Sequence, residues 1–280
     1  MANVTASMVK ELRDRTGVGM GKCKEALDAA AGDMEEAIQI LRKSGAASAV
    51  KKESRETNEG VIAVAENDKV IALIEVNAET DFVVQNDRFQ AFTKMLCQEA
   101  LVHLPKDADH FAKVTLKDGR TIEEVRSEQI QSLGENIRIR RVTIINKEAD
   151  HSVGVYSHMG GKIVTVVDIA GAEGLQDFAR ALGMHVAAEF PEYLTEKDVP
   201  EAILAKEVDI ARSQVESKPK NIQDKIIEGK LNAFYDQTCF LRQKYIRDPS
   251  HSVAQVVEAE GKKLGKSLSV KKFVRWQVSA

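Results

Sequence analysis

The chain has 280 residues, 43% of them hydrophobic, and its 40 Lys+Arg against 43 Asp+Glu leave a formal net charge of -3. At roughly 100–200 residues per domain this is room for about two domains with real cores, which excludes a disordered chain and a disulfide-stapled miniprotein. The near-neutral balance argues against bulk attraction to nucleic acid or membrane as the main activity.

Cys23, Cys97 and Cys239 are scattered and odd in number, so a disulfide framework is not expected and a reducing cytoplasm is the default location. No stretch approaches the ~18 consecutive apolar residues of a membrane span. Charged residues recur from Lys10 onward, where a signal peptide would need an uncharged core.

In chain order, the first 45 residues read as three short helices. Val4, Met8 and Leu12 recur at helical spacing up to Gly17, a left-handed cap. Met20, Cys23 and Leu27 share a face of the second helix, which Gly32 stops. Asp33 and Glu36 have capping-box spacing and open a third helix with Ala37, Ile38 and Leu41 inward and Gly45 at its end. Residues 46–59, poor in large apolar side chains, read as a linker.

From Gly60 the period changes. Val61–Ala65, the turn-like Glu66-Asn67-Asp68 and the nearly all-apolar Val70–Val76 predict a hairpin whose second strand is buried on both faces. A helix follows from Asn86 to Leu101 with Phe89, Phe92 and Leu96 inward. Thr121 and Glu124 then box a helix that Gly134 closes. In the strand Ile137–Ile145 the apolar residues switch from odd to even positions, which predicts a bulge near Arg140-Arg141.

A second strand-strand-helix unit echoes the first. Gly154-Val155 matches Gly60-Val61, Lys162–Ile169 lies over Lys69–Val76, and Phe178 over Phe89, so the core reads as an internal duplication. Its helix, Leu175–Glu189, carries Leu175, Phe178, Leu182 and Val186. Residues 200–216 and a partner helix with Ile222, Ile226, Ile227, Leu231 and Phe234 flank the turn Ser217–Lys220, an antiparallel helical hairpin. Ser252 and Gln255 cap a further helix, and Val274, Trp276 and Val278 alternate in a last strand.

No enzyme constellation stands up. There is no GxxxxGK[ST] loop, no GxGxxG after a strand and no nucleophile signature. The six histidines (His103, His110, His151, His158, His185, His251) lack metal-site pairings, so no metal and no cofactor is expected. The acid-free run of Lys262, Lys263, Lys266, Lys271, Lys272 and Arg275 has no interleaved aromatics, and reads as a solvated face rather than a nucleic-acid site.

What stands out is Glu79-Thr80-Asp81-Phe82-Val83-Val84, an acid beside a large aromatic where a loop usually turns polar. The residues leave two readings open. Either Phe82 and Val83 fold onto the core with Asp81 as a cap, or Asp81-Phe82 is an exposed wedge for a partner's cleft.

Four segments, in order and spanning nearly the whole chain, resemble the family of bacterial translation elongation factors Ts. They are Leu12-Arg13-Asp14-Arg15-Thr16-Gly17-Val18-Gly19-Met20 with Cys23–Leu27; Glu75-Val76-Asn77 leading into Thr80-Asp81-Phe82-Val83; Gly134-Glu135-Asn136-Ile137 with Arg140-Arg141; and Met184-His185-Val186-Ala187-Ala188. The short module many members carry after their last core strand has no counterpart here, which puts that module's contacts in doubt.

The resemblance implies an α+β fold: a ubiquitin-associated-like three-helix bundle with linker over 1–54, and a duplicated α+β core with antiparallel sheets over 55–146 and over 147–190 with 236–280. A protruding coiled-coil hairpin spans 191–235. It implies a guanine-nucleotide exchange factor, not an enzyme, whose partner is elongation factor Tu in its GDP-bound and nucleotide-free forms. Thr80, Asp81, Phe82 and Val83 are implied to enter the GTPase domain and dislodge its Mg²⁺, with further contacts from Arg13, Val18, Met20, Asn136 and His185. The hairpin is a protein–protein surface, for a homodimer or for an assembly with Tu. No membrane and no direct nucleic-acid contact is expected. The competing readings are an adaptor that uses the helical head alone, and an RNA-binding module that leans on the basic stretch.

Overall fold

The computed structural model of the chain describes residues 4–279, the side chains of Ala46 and Ala47 excepted. Met1–Asn3 and Ala280, which the expected domain bounds include, lie outside the described residues. The chain divides into two compact units. One runs to Asn146 and takes in Gly160–Lys162 and the residues from Gln277 on; the other spans Lys147–Met159 and Ile163–Trp276.

The first unit opens with α1 (Ala6–Thr16), α2 (Met20–Ala29) and α3 (Met34–Lys52). Thr5 caps α1 by accepting the Met8 N–H, and Gly17 ends it at φ 71°. Leu12, Cys23, Leu27, Ala37 and Leu41 form the buried seam. Met20 departs from its expected place in that seam: as the first residue of α2 it lies beyond the bundle's edge and is 56% exposed.

The expected stop at Gly45 is also corrected, because α3 continues to Lys52 and takes up half of the expected linker. Gly45 serves close approach: a Cβ there would sit 2.8 Å from Gln131 Oε1. The Ala- and Lys-rich run after it is good helix-forming sequence.

Next come β1 (Glu59–Glu66) and β2 (Val70–Ala78), the single turn α4 (Asp81–Val84) and α5 (Asp87–His103). After them follow the short α6 (Ala108–Ala112), α7 (Ile122–Leu133) and β3 (Ile137–Asn146). The sheet order is β1-β2-β3 with both pairs antiparallel, and central β2 is buried along its whole length as expected. Phe89, Phe92 and Leu96 of α5 pack into this core with Phe111, Ile122, Ile130 and Ile137. The Thr121–Glu124 capping box forms and Gly134 closes α7 at φ 85°. Neither α4 nor α6 was anticipated, since one helical turn is too short to show a period.

The predicted bulge is present. Opposite the Glu75/Val76 step the register passes from Arg141 to Ile139, leaving Arg140 as the extra residue. The bulge brings both arginines to the fully buried Glu75 carboxylate, Arg141 Nε at 2.7 Å and Arg140 Nε at 3.9 Å. The Ser279 N–H also donates to Glu75 Oε1, at 2.8 Å.

The second unit repeats the plan with β4 (His151–His158), β5 (Ile163–Ala170) and α8 (Gln176–Glu189). The hairpin helices α9 (Glu201–Ser213) and α10 (Lys220–Thr238) follow, then β6 (Lys244–Tyr245), β7 (Asp248–Ser252), α11 (Val253–Leu264) and β8 (Ser269–Gln277). The sheet order β4-β5-β8 matches β1-β2-β3. The duplication reaches further than the strand-strand-helix echo: α7 and α11 are both 12 residues long, both open on a capping box and both end on a left-handed glycine, Gly134 or Gly265. Among the described residues no helix is long and apolar enough to cross a membrane.

Candidate functional site

β2 ends at Ala78, and residues 79–86 carry the chain to α5. Thr80, in extended backbone, caps α4: its Oγ1 accepts the Val83 N–H at 3.4 Å and donates to Glu135 Oε1 at 2.7 Å. Glu135 Oε2 also accepts the Thr80 N–H at 3.0 Å. In return Glu79 Oε1 accepts the Asn136 N–H at 2.6 Å. Each segment therefore lends a carboxylate to the other's backbone, and charge-assisted bonds of this kind are roughly twice as strong as neutral ones. On the far side, Gln90 Nε2 donates to Val84 O at 2.6 Å, and Asn86 caps α5 by accepting the Arg88 N–H at 2.9 Å.

Held at both ends, α4 sends Val83 and Val84 into the core and Phe82 outward. Phe82 is 83% exposed, more than any other large apolar side chain among the described residues, and Asp81 is exposed beside it. Of the two readings of this segment, anchoring holds for Val83 and not for Phe82, and the cap is Thr80 rather than Asp81. Leaving a phenylalanine in water forgoes about 1.5–3 kcal/mol of burial, on a turn that is otherwise fully clasped.

The helical bundle is fixed to the same scaffold. Arg88, in the first turn of α5, donates from Nη1 to Thr16 O at 3.3 Å and Ser132 Oγ at 3.1 Å, while Ser132 Oγ donates to Gly17 O at 3.0 Å. A Cβ at position 17 would lie 1.8 Å from the Arg88 guanidinium and on a left-handed backbone, so a larger residue would strain this turn and displace Arg88. Lys52, at the end of α3, donates to Gly134 O at 2.6 Å and to Ile130 O at 3.4 Å, the open carbonyl end of α7. Burial pushes its ammonium below the ordinary lysine range. The α1–α2 turn and the Phe82 turn thus both hang on α5, and from the former Arg13 and Met20 face solvent.

A family model described as Elongation factor TS matches residues 79–280, which begin at this clasped segment. The Elongation factor Ts of Protochlamydia amoebophila (strain UWE25) is 51% identical over 280 residues, covering 99% of each chain. Those of Chlamydia felis and of Chlamydia trachomatis serovar L2 are 41% and 40% identical over 282 residues, each covering all of both chains.

The chain belongs to the elongation factor Ts family.

Three residues for which the resemblance to elongation factor Ts implied partner contact are buried here and offer no surface of their own. Val18 lies in the bundle core. Asn136 is fully buried, its Nδ2 donating to Arg55 O at 2.9 Å and Glu53 O at 3.4 Å. His185 is fully buried in the second unit: its Nε2 meets Gln243 Oε1 at 2.9 Å and its Nδ1 accepts the Ile246 N–H at 3.2 Å, with Tyr245 stacked on the ring. That pattern fixes the neutral tautomer protonated at Nε2, and burial lowers the pKa below the ordinary histidine value. Buried this way, His185 holds the 240–246 segment in place.

The three cysteines are buried and free; burial alone pushes the Cys97 thiol up to about 12. Two positioning residues, Glu135 and Arg88, carry no local signal in the sequence. Glu135 lies in a segment that carries the family resemblance, yet nothing local pairs it with Thr80, 55 residues away.

Proposed function

We propose that this chain is a guanine-nucleotide exchange factor for elongation factor Tu, acting by binding and with no covalent step of its own. The observation that carries the proposal is the 83% exposed Phe82 on a turn clasped at both ends, in a chain of the elongation factor Ts family. An exposed aromatic on a rigid mount is already ordered before it meets a pocket, so little entropy is lost on insertion.

In this reading Phe82 supplies apolar contact between elements of the GTPase domain, and Asp81 beside it supplies polar contacts that hold them displaced. Thr80 and Val83 fix the turn and frame the wedge. Displacement disturbs the site that holds Mg²⁺, the phosphates lose their counter-charge, and GDP leaves so that GTP can bind. Linkage requires that a factor binding nucleotide-free Tu more tightly than Tu·GDP weakens GDP by the same factor. Each ~1.4 kcal/mol taken off the release barrier is about tenfold in rate. Arg13 and Met20 add a second contact on the same domain, kept in register with Phe82 by Arg88. Asn136 and His185 act from inside, as positioning residues.

The experiment is release of a fluorescent GDP analogue from elongation factor Tu with this protein at sub-stoichiometric amounts. Accelerated release with turnover is the expected result. Unchanged release, with both proteins folded and Tu active, would overturn the proposal and favour the adaptor reading.

A further inference from the structure

Residues 52–55, at the end of α3, bond to both segments of the clasp that mounts Phe82. Lys52 Nζ donates at 2.6 Å to the carbonyl of Gly134, the residue immediately before Glu135 and Asn136. Its second bond, to Ile130 O at 3.4 Å, lies one turn earlier on α7. Beyond Lys52 the backbone takes over. Glu53 O accepts Asn136 Nδ2 at 3.4 Å and Arg138 Nη2 at 3.2 Å, and Arg55 O accepts Asn136 Nδ2 at 2.9 Å. Arg55 Nη1 then reaches Glu79 Oε1 at 3.4 Å. The Arg55 N–H closes a turn on Lys52 O at 2.9 Å, which keeps these groups together.

The contacts are unequal. Arg55–Glu79 is a long pair with an exposed arginine, of the kind that contributes little. Lys52 is half-buried, and its ammonium sits at the negative end of the α7 dipole, where a cation is favoured. Burial, Arg55 and Lys22 disfavour its charge, while the Glu79 and Glu135 carboxylates favour it. Gly134 has no side chain to be held by, and a Cβ there would meet nothing within 4 Å. Hydrogen bonds hold it instead: its N–H on Ile130 O at 3.0 Å, and its carbonyl on Lys52. The clasp on Thr80 and Glu79 starts from the next residue.

We propose that Lys52 is a positioning residue for exchange: by gripping Gly134 it holds Glu135 and Asn136 where they clasp Thr80 and Glu79, and so couples the helical bundle to the aim of Phe82. Docking of the bundle on a partner then sets the wedge through α3, in parallel with the Arg88 bond to the α1–α2 turn. The role rests on the exchange function proposed above, so one arm of its test is read without elongation factor Tu.

That arm is amide hydrogen exchange of the full chain alone, followed residue by residue by NMR. In Lys52→Met the Thr80 and Asn136 amides, which donate to Glu135 and Glu79, are expected to exchange about tenfold faster, with the amides of β2 unchanged. Lys52→Arg keeps the charge and the donors and is expected to restore protection. The second arm is a double-mutant cycle on GDP release from elongation factor Tu. Lys52→Met is expected to slow release about tenfold in the wild-type background and less than about twofold in the Phe82→Ala background, where no ring is left to aim. A residue that served stability alone would cost the same in both. Equal losses in the two backgrounds, or unchanged protection of Thr80 and Asn136, would overturn the proposal. If Lys52→Met fails to fold, Lys52→Gln, which keeps a donor without the charge, takes its place under the same criteria. A wild type that does not release GDP would overturn the exchange function and this role with it, while the amide arm still reports whether Lys52 holds the turn.

Discussion

The two repeats differ where the second strand hands over to its helix. In the second, residues 171–175 make the connection tightly. Gly171 sits at φ 100°, where a Cβ would lie 2.0 Å from Ser267 O. Ser152 Oγ donates to Ala172 O at 2.7 Å and accepts the Leu175 N–H at 2.9 Å. No large apolar side chain of that junction stands in solvent. In the first, residues 79–86 make the same connection with room for α4, and Phe82 stands out from it. Strand order, capped helix and buried acid are otherwise shared, with Glu75 and Asp168 at matching places. The second repeat closes without a counterpart of α4, so the exposed aromatic, unlike Val83 and Val84 of the same turn, answers to something other than folding.

The comparison can be broken at its foundations first. Glu75 is fully buried beside two arginines, and Glu75→Ala strands the Ser279 N–H and Asn77 Nδ2 that donate to it; a loss of about 3 kcal/mol in denaturant unfolding is expected. Asp168 has His151 at 2.8 Å and Lys272 at 3.8 Å, a looser set, so Asp168→Ala should cost less. An equal loss would deny the difference in grip.

At the junctions, Gly171→Ala meets both strain and a backbone oxygen, and a drop of about 2–3 kcal/mol in the same assay is expected. Glu135→Ala removes both bonds to Thr80 at a cost of about 1–2 kcal/mol, and lowers exchange about tenfold because the turn loses its mount. Exchange left at the wild-type rate would mean that the clasp serves stability alone.

The smallest effect is set by pH. His185 is neutral in the fold with its pKa depressed, so the unfolded chain binds the proton more readily. Its contribution is whole above about pH 6.5 and is lost as pH falls below that toward the depressed value. Thermal unfolding scanned on the acid side should therefore show a slope that His185→Gln flattens. An unchanged slope would place the acid sensitivity elsewhere.

Much of this was legible in the sequence because local rules carried it. The Thr121–Glu124 and Ser252–Gln255 boxes, the all-apolar β2 and the bulge at Arg140-Arg141 are short-range signals, and the structure reproduces each. Gly45 misled because a glycine that admits a neighbouring helix looks, in one dimension, like a glycine that ends its own. Met20 misled because helical spacing cannot say where the bundle stops. The site was half visible: an aromatic beside an acid at a junction drew attention to Asp81-Phe82, but Thr80–Glu135 and Arg88–Thr16 join residues far apart in the chain and leave no periodic trace. The burial of Asn136 and His185 was hidden for the same reason.

The most direct test of the central claim pairs two readings on one variant, Phe82→Ala. An exposed side chain supports little packing, so its unfolding free energy should stay within about 0.5 kcal/mol of the wild type. GDP release from elongation factor Tu should fall about thirtyfold, the loss of an anchor worth about 2 kcal/mol. A variant that exchanges normally, or one that loses stability as well as activity, would contradict the account.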